Sequence, residues 1–448
     1  MAFFQTLIKS ISARSKNVIK NILLSVGVKA VNVLCSLVLV PLSLGYLSKE
    51  EYGIWLTIST MLLWVSFFDI GLGNGLRNYL SEAISKGDYV LGRTYISTTL
   101  ALLLIIVGAF SLLCSFSFPF LDWIDVLNTD AIASDQLMLI MLITVLLTLM
   151  NFVLKNVGVV YIALQRYAMN ELLHMFGNVL SLFVIFVITQ TLESSLMWVV
   201  VSFSASPLLV FIVAAFPLFK KYKELRPSFK SVDFNYSKML MSKGGAFFGI
   251  QMTTVFVIYA SSNFFITQCC GPEAVGVYNT AYRYLSISTM GFTTLIAPLW
   301  NAYTDAYVKN DIAWIKKTFY LSLKMWGFTA CIGLLMLLVS PWVYEIWIGD
   351  ALDIPFSVSF SIFVYFCFLN LSNCASYLLN GLNIIYVQLL SSIFVTILYL
   401  LIVFPMGRYF YIEGVSWSMT LSFVILSLIR FYQVKKVFNG TASGCWLK

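Results

Sequence analysis

Charge is what this 448-residue chain has least of: 11% of its residues are charged, where a soluble globular domain carries about 25%. It has a single histidine, His174. Its eight cysteines show no disulfide framework. Cys35, Cys114, Cys331, Cys367 and Cys374 fall inside apolar runs, Cys269 and Cys270 are adjacent, and Cys445 lies in the tail. No Cys/His cluster has ligand spacing, so no metal site or cofactor is expected and the thiols read as small packing groups. No Walker-type phosphate loop occurs, which argues against nucleotide hydrolysis by this chain. Long polar loops are missing too, and with them the paired carboxylates of a glycosyl-transferring enzyme.

Apolar residues fill the chain instead: 60% of it, at a mean hydropathy of +0.89. The apolar runs are continuous and of membrane-spanning length, without the alternating segments of a β-barrel. An all-α integral membrane protein is expected. The runs place about twelve spans, near 22–46, 53–80, 95–118, 135–160, 172–190, 196–218, 246–268, 275–303, 318–340, 354–379, 387–408 and 413–434. Residues 1–20 lack the pattern of a cleaved signal; Phe3, Phe4, Leu7, Ile8 and Ile11 suit one face of an interfacial helix.

The chain is a duplication. Shifted by 223 residues (50 to 273), Glu50 meets Glu273, Gly53 meets Gly276, Trp55 meets Tyr278 and Thr57 meets Thr280. Without a gap, Glu82 meets Asp305, Asp88 meets Asp311 and Arg93 meets Lys316. YIALQ (161–165) and LNGLN (379–383) form a weaker echo. Six spans per half is an even number, so both halves enter from the same side as parallel repeats, an arrangement suited to alternating access. The expected organisation is a cytoplasmic or interfacial N-terminus (1–20), an N-lobe (21–218), a basic cytoplasmic linker (219–245), a C-lobe (246–438) and a cytoplasmic tail (439–448).

The 28 Lys and Arg set the orientation. With both termini in the cytoplasm, Lys49 and Arg408 fall on the far side, while Lys29, Lys155, Arg283 and Lys324 fall inside spans. All others then lie at the termini or in cytoplasmic loops, which satisfies the positive-inside rule. The net charge of +8 is accounted for by the anionic cytoplasmic leaflet, and no nucleic-acid partner is implied.

A charge at mid-membrane costs from roughly 3 to more than 10 kcal/mol, so it usually faces a cavity, a partner or a substrate path. Lys29 and Arg283 are the first candidates for a cationic cavity that accepts an anionic head group, with snorkelling as the competing reading. Lys155 and Lys324 lie nearer the cytoplasmic ends of their spans, where snorkelling is easier. Arg77 stands at the inner end of the second span, where it could guard a cavity mouth. Asp69 precedes Gly71, Gly73 and Gly75, which together read as a bend or hinge beside a buried acid. Asp69 could pair with Lys29 or Lys155, or take up a coupling cation. His174, beside Glu171, reads as an interfacial polar contact.

At FDIGLGNGLRN (68–78), with SKEEYGIW (48–55) before it and SKGDY (85–89) after it, the chain resembles polysaccharide flippases of the O-antigen type. Those belong to the multidrug/oligosaccharidyl-lipid/polysaccharide (MOP) superfamily. The resemblance implies translocation of undecaprenyl-diphosphate-linked oligosaccharide from the cytoplasmic to the periplasmic leaflet of a prokaryotic inner membrane. It also implies a cationic cavity, coupling to H+ or Na+, and working contact with polysaccharide polymerase and chain-length proteins. The chain is shorter than the lipid II flippases of that superfamily. A drug/cation antiporter of the related multidrug family usually carries an acid in its first span; spans one and seven here contain no Asp or Glu. A membrane-embedded polymerase or ligase is disfavoured by the short loops, and a non-transporting scaffold or scramblase is the remaining alternative.

Overall fold

The computed structural model describes residues 13–67, 72–164, 166–241, 258, 261–382 and 384–447, and among them every regular element is helical. In chain order these are α1 (Ala13–Leu44), α2 (Lys49–Phe67), α3 (Leu72–Ser85), α4 (Tyr89–Ser117), the short α5 (Trp123–Leu127), α6 (Ser134–Leu154), α7 (Asn156–Ala163), α8 (Tyr167–Thr191) and α9 (Leu196–Lys221). After the linker come α10 (Ser237–Met241), α11 (Ser262–Cys270), α12 (Pro272–Val308), α13 (Ile312–Ile348), α14 (Phe356–Gly381) and α15 (Tyr386–Phe438).

Among the described residues, eight helical stretches are long and apolar enough to cross a membrane. The 53-residue α15 would be about 80 Å long at 1.5 Å per residue, more than twice the ~30 Å of a hydrocarbon core. Its backbone leaves the helix at Phe410 and at Tyr411, where φ is 51°, so it supplies two spans. α2 with α3 and the 37-residue α12 add to these, and most of the expected seventh span, 246–268, lies outside the described residues. The expected interfacial helix of residues 1–11 lies outside the described residues.

The duplication recurs in backbone detail. After α3 the Asp88 N–H donates to the Ala83 carbonyl (2.9 Å) and that of Gly87 to Ile84 (3.0 Å). After α12 the Asp311 N–H donates to Ala306 (2.9 Å) and that of Asn310 to Tyr307 (3.0 Å). Both are paired closures through a left-handed residue, Gly87 at φ 75° and Asn310 at φ 56°. Asp88 then caps α4 by accepting from the Leu91 N–H, and Asp311 caps α13 by accepting from Trp314, each at 2.9 Å. The weaker echo is matched as well. Ser81 Oγ donates to the Ala163 carbonyl (3.5 Å), and its counterpart Thr304 donates to Gly381 (2.9 Å). One local sequence signal therefore builds the same helix–turn–helix twice.

Contacts divide the chain into two compact units. The first holds residues 1–42, 69–121 and 138–244; the second holds 43–68, 122–137 and 245–448. The grouping is not the plain halving that the repeat suggests, because α2 and α5 pack with the C-terminal half. Within the first unit, Leu80, Ala83, Ile96, Val160, Tyr161, Phe211 and Leu225 form one core. The second unit centres on Tyr303, Ala306, Phe319, Leu378 and Leu379. Lipid supplies no hydrophobic drive between helices, so such cores hold by close packing. The linker is part of the first unit: the Ser228 N–H donates to Ser97 Oγ (3.1 Å), the Asp233 N–H to Thr98 Oγ1 (3.0 Å), and Tyr236 meets Tyr95 edge-on at 5.2 Å.

Candidate functional site

The two copies of the repeated turn start their helices by different means. Ser48 and Glu51 form a reciprocal capping box, with the Ser48 N–H donating to Glu51 Oε2 (3.0 Å) and the Glu51 N–H to Ser48 Oγ (3.1 Å). In the second copy Gly271, at φ 87°, is followed by Pro272 at the first helical position. In the second unit these two helix starts pack on each other. A Cβ placed on Gly53 would overlap the carbonyl of Pro272, and one on Gly276 would press on the Tyr52 ring. Equivalent glycines of the two repeats thus make the close approach of α2 and α12.

A hydrogen-bonded cluster lies along this seam. Thr57 Oγ1 and Thr267 Oγ1 are 2.7 Å apart. Asn279 Nδ2 donates to Asn263 Oδ1 (2.6 Å), and Asn263 Nδ2 donates to the Leu56 carbonyl (3.3 Å). α5 and its C-terminal turn close over it: Asn128 Nδ2 donates to the Thr267 carbonyl (2.9 Å), Gln268 Nε2 to that of Val126 (2.8 Å), and Thr129 Oγ1 to Glu50 Oε1. By the positive-inside assignment this is the outer end of the unit.

Arg283 lies at the inner edge of the cluster, half-buried, with its charge within electrostatic reach of the buried Tyr52 hydroxyl. It continues the stripe Gly276–Thr280–Arg283–Ile287–Met290–Thr294 along one face of α12. Gly276 and Thr280 are buried, Arg283 and Ile287 half-buried, and Met290 and Thr294 exposed. The stripe passes from sealed to open at the arginine. Its repeat counterpart (283 less 223) is Thr60, and those of Asn279 and Tyr282 are Leu56 and Ser59. The copies therefore diverge just below the point where they pack together.

The other sequence candidates are dispersed. Lys324 is exposed on α13, on a face with Leu321 and Phe328, which are surroundings that suit snorkelling. In the first unit Lys29 and Arg77 are exposed, and Lys155 is half-buried between α6 and α7 with its Nζ 4.3 Å from the Phe152 ring centre. Lys155 and Glu171 both act on His174, which packs edge-on to Phe211 at 5.3 Å. His174 is exposed and Glu171 half-buried. One turn further along α8, Asn178 donates to Asn32 of α1 (3.0 Å). Gly73 and Gly75 are buried in α3, and a Cβ on Gly75 would overlap the carbonyl of Leu240 in α10. Asp69 and Gly71 lie outside the described residues.

Sequence reasoning missed Arg430. Counted with the cytoplasmic cations, it is in fact only 4% exposed. Its Nη1 donates to Ser372 Oγ at 2.6 Å, and its Nε has no partner among the described residues. The spacing Met419–Phe423–Leu426–Arg430–Gln433, all buried, was the available signal, because it sets the arginine on the packed face of α15. Among the described residues no group of acids, histidines and cysteines could hold a metal ion.

The sequence profile of the polysaccharide biosynthesis proteins matches residues 18–300. The chain belongs to this family. No curated protein sequence gives a significant match. Among solved structures, this polysaccharide biosynthesis protein is similar to the inward-facing form of a multidrug resistance MATE family transporter of the MOP superfamily. The TM-score is 0.71 at 14% identity, over 92% of this chain and 95% of the other. The outward-facing form of such a transporter scores 0.62 at 15% identity, over 94% and 96%. A MOP superfamily transporter from Pyrococcus furiosus, described as having a binding pocket of reverse polarity that suggests a different function, scores 0.61 at 13% identity over 95% of each chain. The fold is therefore the MOP transporter fold, in a multi-pass membrane protein of polysaccharide biosynthesis.

Proposed function

We propose that this protein is a flippase for undecaprenyl-diphosphate-linked oligosaccharide, moving repeat units from the cytoplasmic to the periplasmic leaflet of a prokaryotic inner membrane for assembly of a surface polysaccharide such as O-antigen, capsule or exopolysaccharide. The observation that carries the reading is the place of Arg283, at the level where the α12 stripe changes from sealed to open. A diphosphate leaving water for a low-dielectric path loses hydration worth many kcal/mol, and a fixed guanidinium recovers part of it through paired N–H donors. Lys29 is proposed as the second cation, with Arg77, Lys155 and Lys324 as weaker contributors along the path. Asp69 with Gly71, Gly73 and Gly75 is proposed as the coupling or hinge segment for alternating access driven by H+ or Na+. Polymerase and chain-length proteins would take the product on the outer side.

The test is a strain lacking the gene, scored for lipid-linked oligosaccharide on each leaflet and for surface polymer, then complemented with wild type or with Lys29→Gln/Arg283→Gln. The reading expects intermediate trapped on the cytoplasmic side, polymer lost, and no rescue by the double variant at normal protein level. Full rescue by that variant sinks the cationic path. Single repeat units that reach the outer leaflet unjoined point to a polymerase, and unchanged glycans with altered resistance to cationic drugs point to an antiporter.

A further inference from the structure

The transport reading leaves a groove at the cytoplasmic end of α9 unused. It has a volume of about 790 Å³ and is lined by Leu154, Phe216 and Pro217 and by Lys220, Lys223 and Arg226, the last three lying at or just past the C-terminal end of α9. It lies beside the break between two helices and a proline-bearing turn of a third. α6 stops at Leu154 before α7 begins at Asn156, and Pro217 inside α9 cannot donate a backbone hydrogen bond to the preceding turn. Phe216 is 73% exposed, with Leu209 and Val213 exposed beside it, so the walls belong to a lipid-facing surface. The cations begin in the last helical turn, where an apolar span gives way to the head-group layer. Residues 220–226 hold four cations against one acid, Glu224. Lys221 and Arg166 are engaged with the Tyr222 ring, at 5.7 and 6.0 Å, whereas Lys220, Lys223 and Arg226 line the groove.

We propose that this groove is a binding site for one anionic phospholipid of the cytoplasmic leaflet. The acyl chains lie along Leu154, Phe216 and Pro217, and the phosphate is held by Lys220, Lys223 and Arg226. An apolar trough with cations where α9 ends complements a molecule with that division of character, and basic pockets on the cytoplasmic side are where anionic head groups are recognised. The lipid is proposed to be resident rather than transported. Its basic end continues into residues 228–236, which Ser97 and Thr98 tie to α4, and a bound lipid would fasten the start of the linker to the same unit.

Each Lys or Arg near an anionic membrane surface contributes roughly a fivefold preference, so removing all three is expected to weaken binding on the order of 100-fold. The experiment reconstitutes the full chain in zwitterionic nanodiscs doped with phosphatidylglycerol and counts retained lipid by native mass spectrometry. Wild type is compared with Lys220→Gln/Lys223→Gln/Arg226→Gln and with a control, Lys435→Gln/Lys436→Gln. One retained phosphatidylglycerol in wild type and control, lost in the triple variant, supports the site. Equal retention of zwitterionic and anionic lipid by wild type, needing no variant, overturns it. So does unchanged retention in the triple variant, or equal loss in the control. Displacement by an equimolar prenyl diphosphate would also overturn it, by assigning the groove to the transported lipid.

Discussion

Gly53 and Pro272 meet backbone to backbone, with no room for a Cβ on the glycine. The contact joins the starts of α2 and α12, the two copies of one duplicated turn, and it lies above the Thr57–Thr267 bond at the outer end of the unit. Overpacking at such a contact costs about 1–3 kcal/mol, and a carbonyl cannot rotate away as a side chain can. Gly53→Val is therefore expected to open this seam, moving a closed–open equilibrium by on the order of tenfold or more. Cys269 packs nearby, against Gly407, so faster labelling of Cys269 by a membrane-impermeant thiol reagent added from outside reports the opening. Labelling at the wild-type rate would mean that the contact does not govern closure.

Arg283 stands opposite its own history, since the repeat counterpart at that turn is Thr60. If the path needs a cation at this level and not at one chain position, charge can be exchanged between the copies. Arg283→Thr alone is expected to lower transport roughly 10- to 100-fold, the worth of a charge-assisted hydrogen bond. Adding Thr60→Arg is expected to recover most of that loss. The measurement is surface polymer per molecule of membrane-inserted protein. A swap no better than the single variant would tie the role to α12 itself.

Much of this fold was legible because its signals are local. Asp88 and Asp311 mark helix starts by composition alone, and the shift of 223 residues pairs them along the chain with no reference to their contacts. What the repeat did not reveal is that α2 packs with the C-terminal half. Pairing partners are set by tertiary contacts such as Gly53 with Pro272, and a glycine reads the same in sequence whether it serves a turn, a hinge or a close approach. Arg430 was hidden for a related reason: charge counting sees a cation near a helix end and not the packed face on which it sits. Arg283 stands out in sequence because a charge deep in a span is costly wherever it points.

Gly75, the last glycine of the proposed hinge segment, also makes a close packing contact. The run from Gly71 to Gly75 reads as a bend, and at its end a Cβ on Gly75 would overlap the carbonyl of Leu240. This contact docks α10, the end of the linker, on α3. Gly75→Ala is expected to destabilise the first unit by about 1–3 kcal/mol and to lower Tm by several degrees in detergent. Trypsin should then cut more readily at Lys230 and Lys238, which lie in the linker. A variant with unchanged melting and protease resistance would show that this contact does not support the first unit.

Among the described residues, Ser372 holds the one hydroxyl that accepts from the buried Arg430 guanidinium. Removing one partner of a buried charged contact is far more damaging than replacing both with apolar groups, because a charge left without its acceptor keeps its desolvation cost. Ser372→Ala is therefore expected to cost about 1.5–3 kcal/mol. Arg430→Met, which keeps the side-chain length and removes the charge, is expected to be neutral or stabilising on the same ground, and Ser372→Ala/Arg430→Met should melt near wild type. The check is a double-mutant cycle by thermal melting of the detergent-solubilised protein. Additive single effects would show that the hydroxyl and the guanidinium do not support each other, and that the arginine is held in α15 by packing of its aliphatic stem.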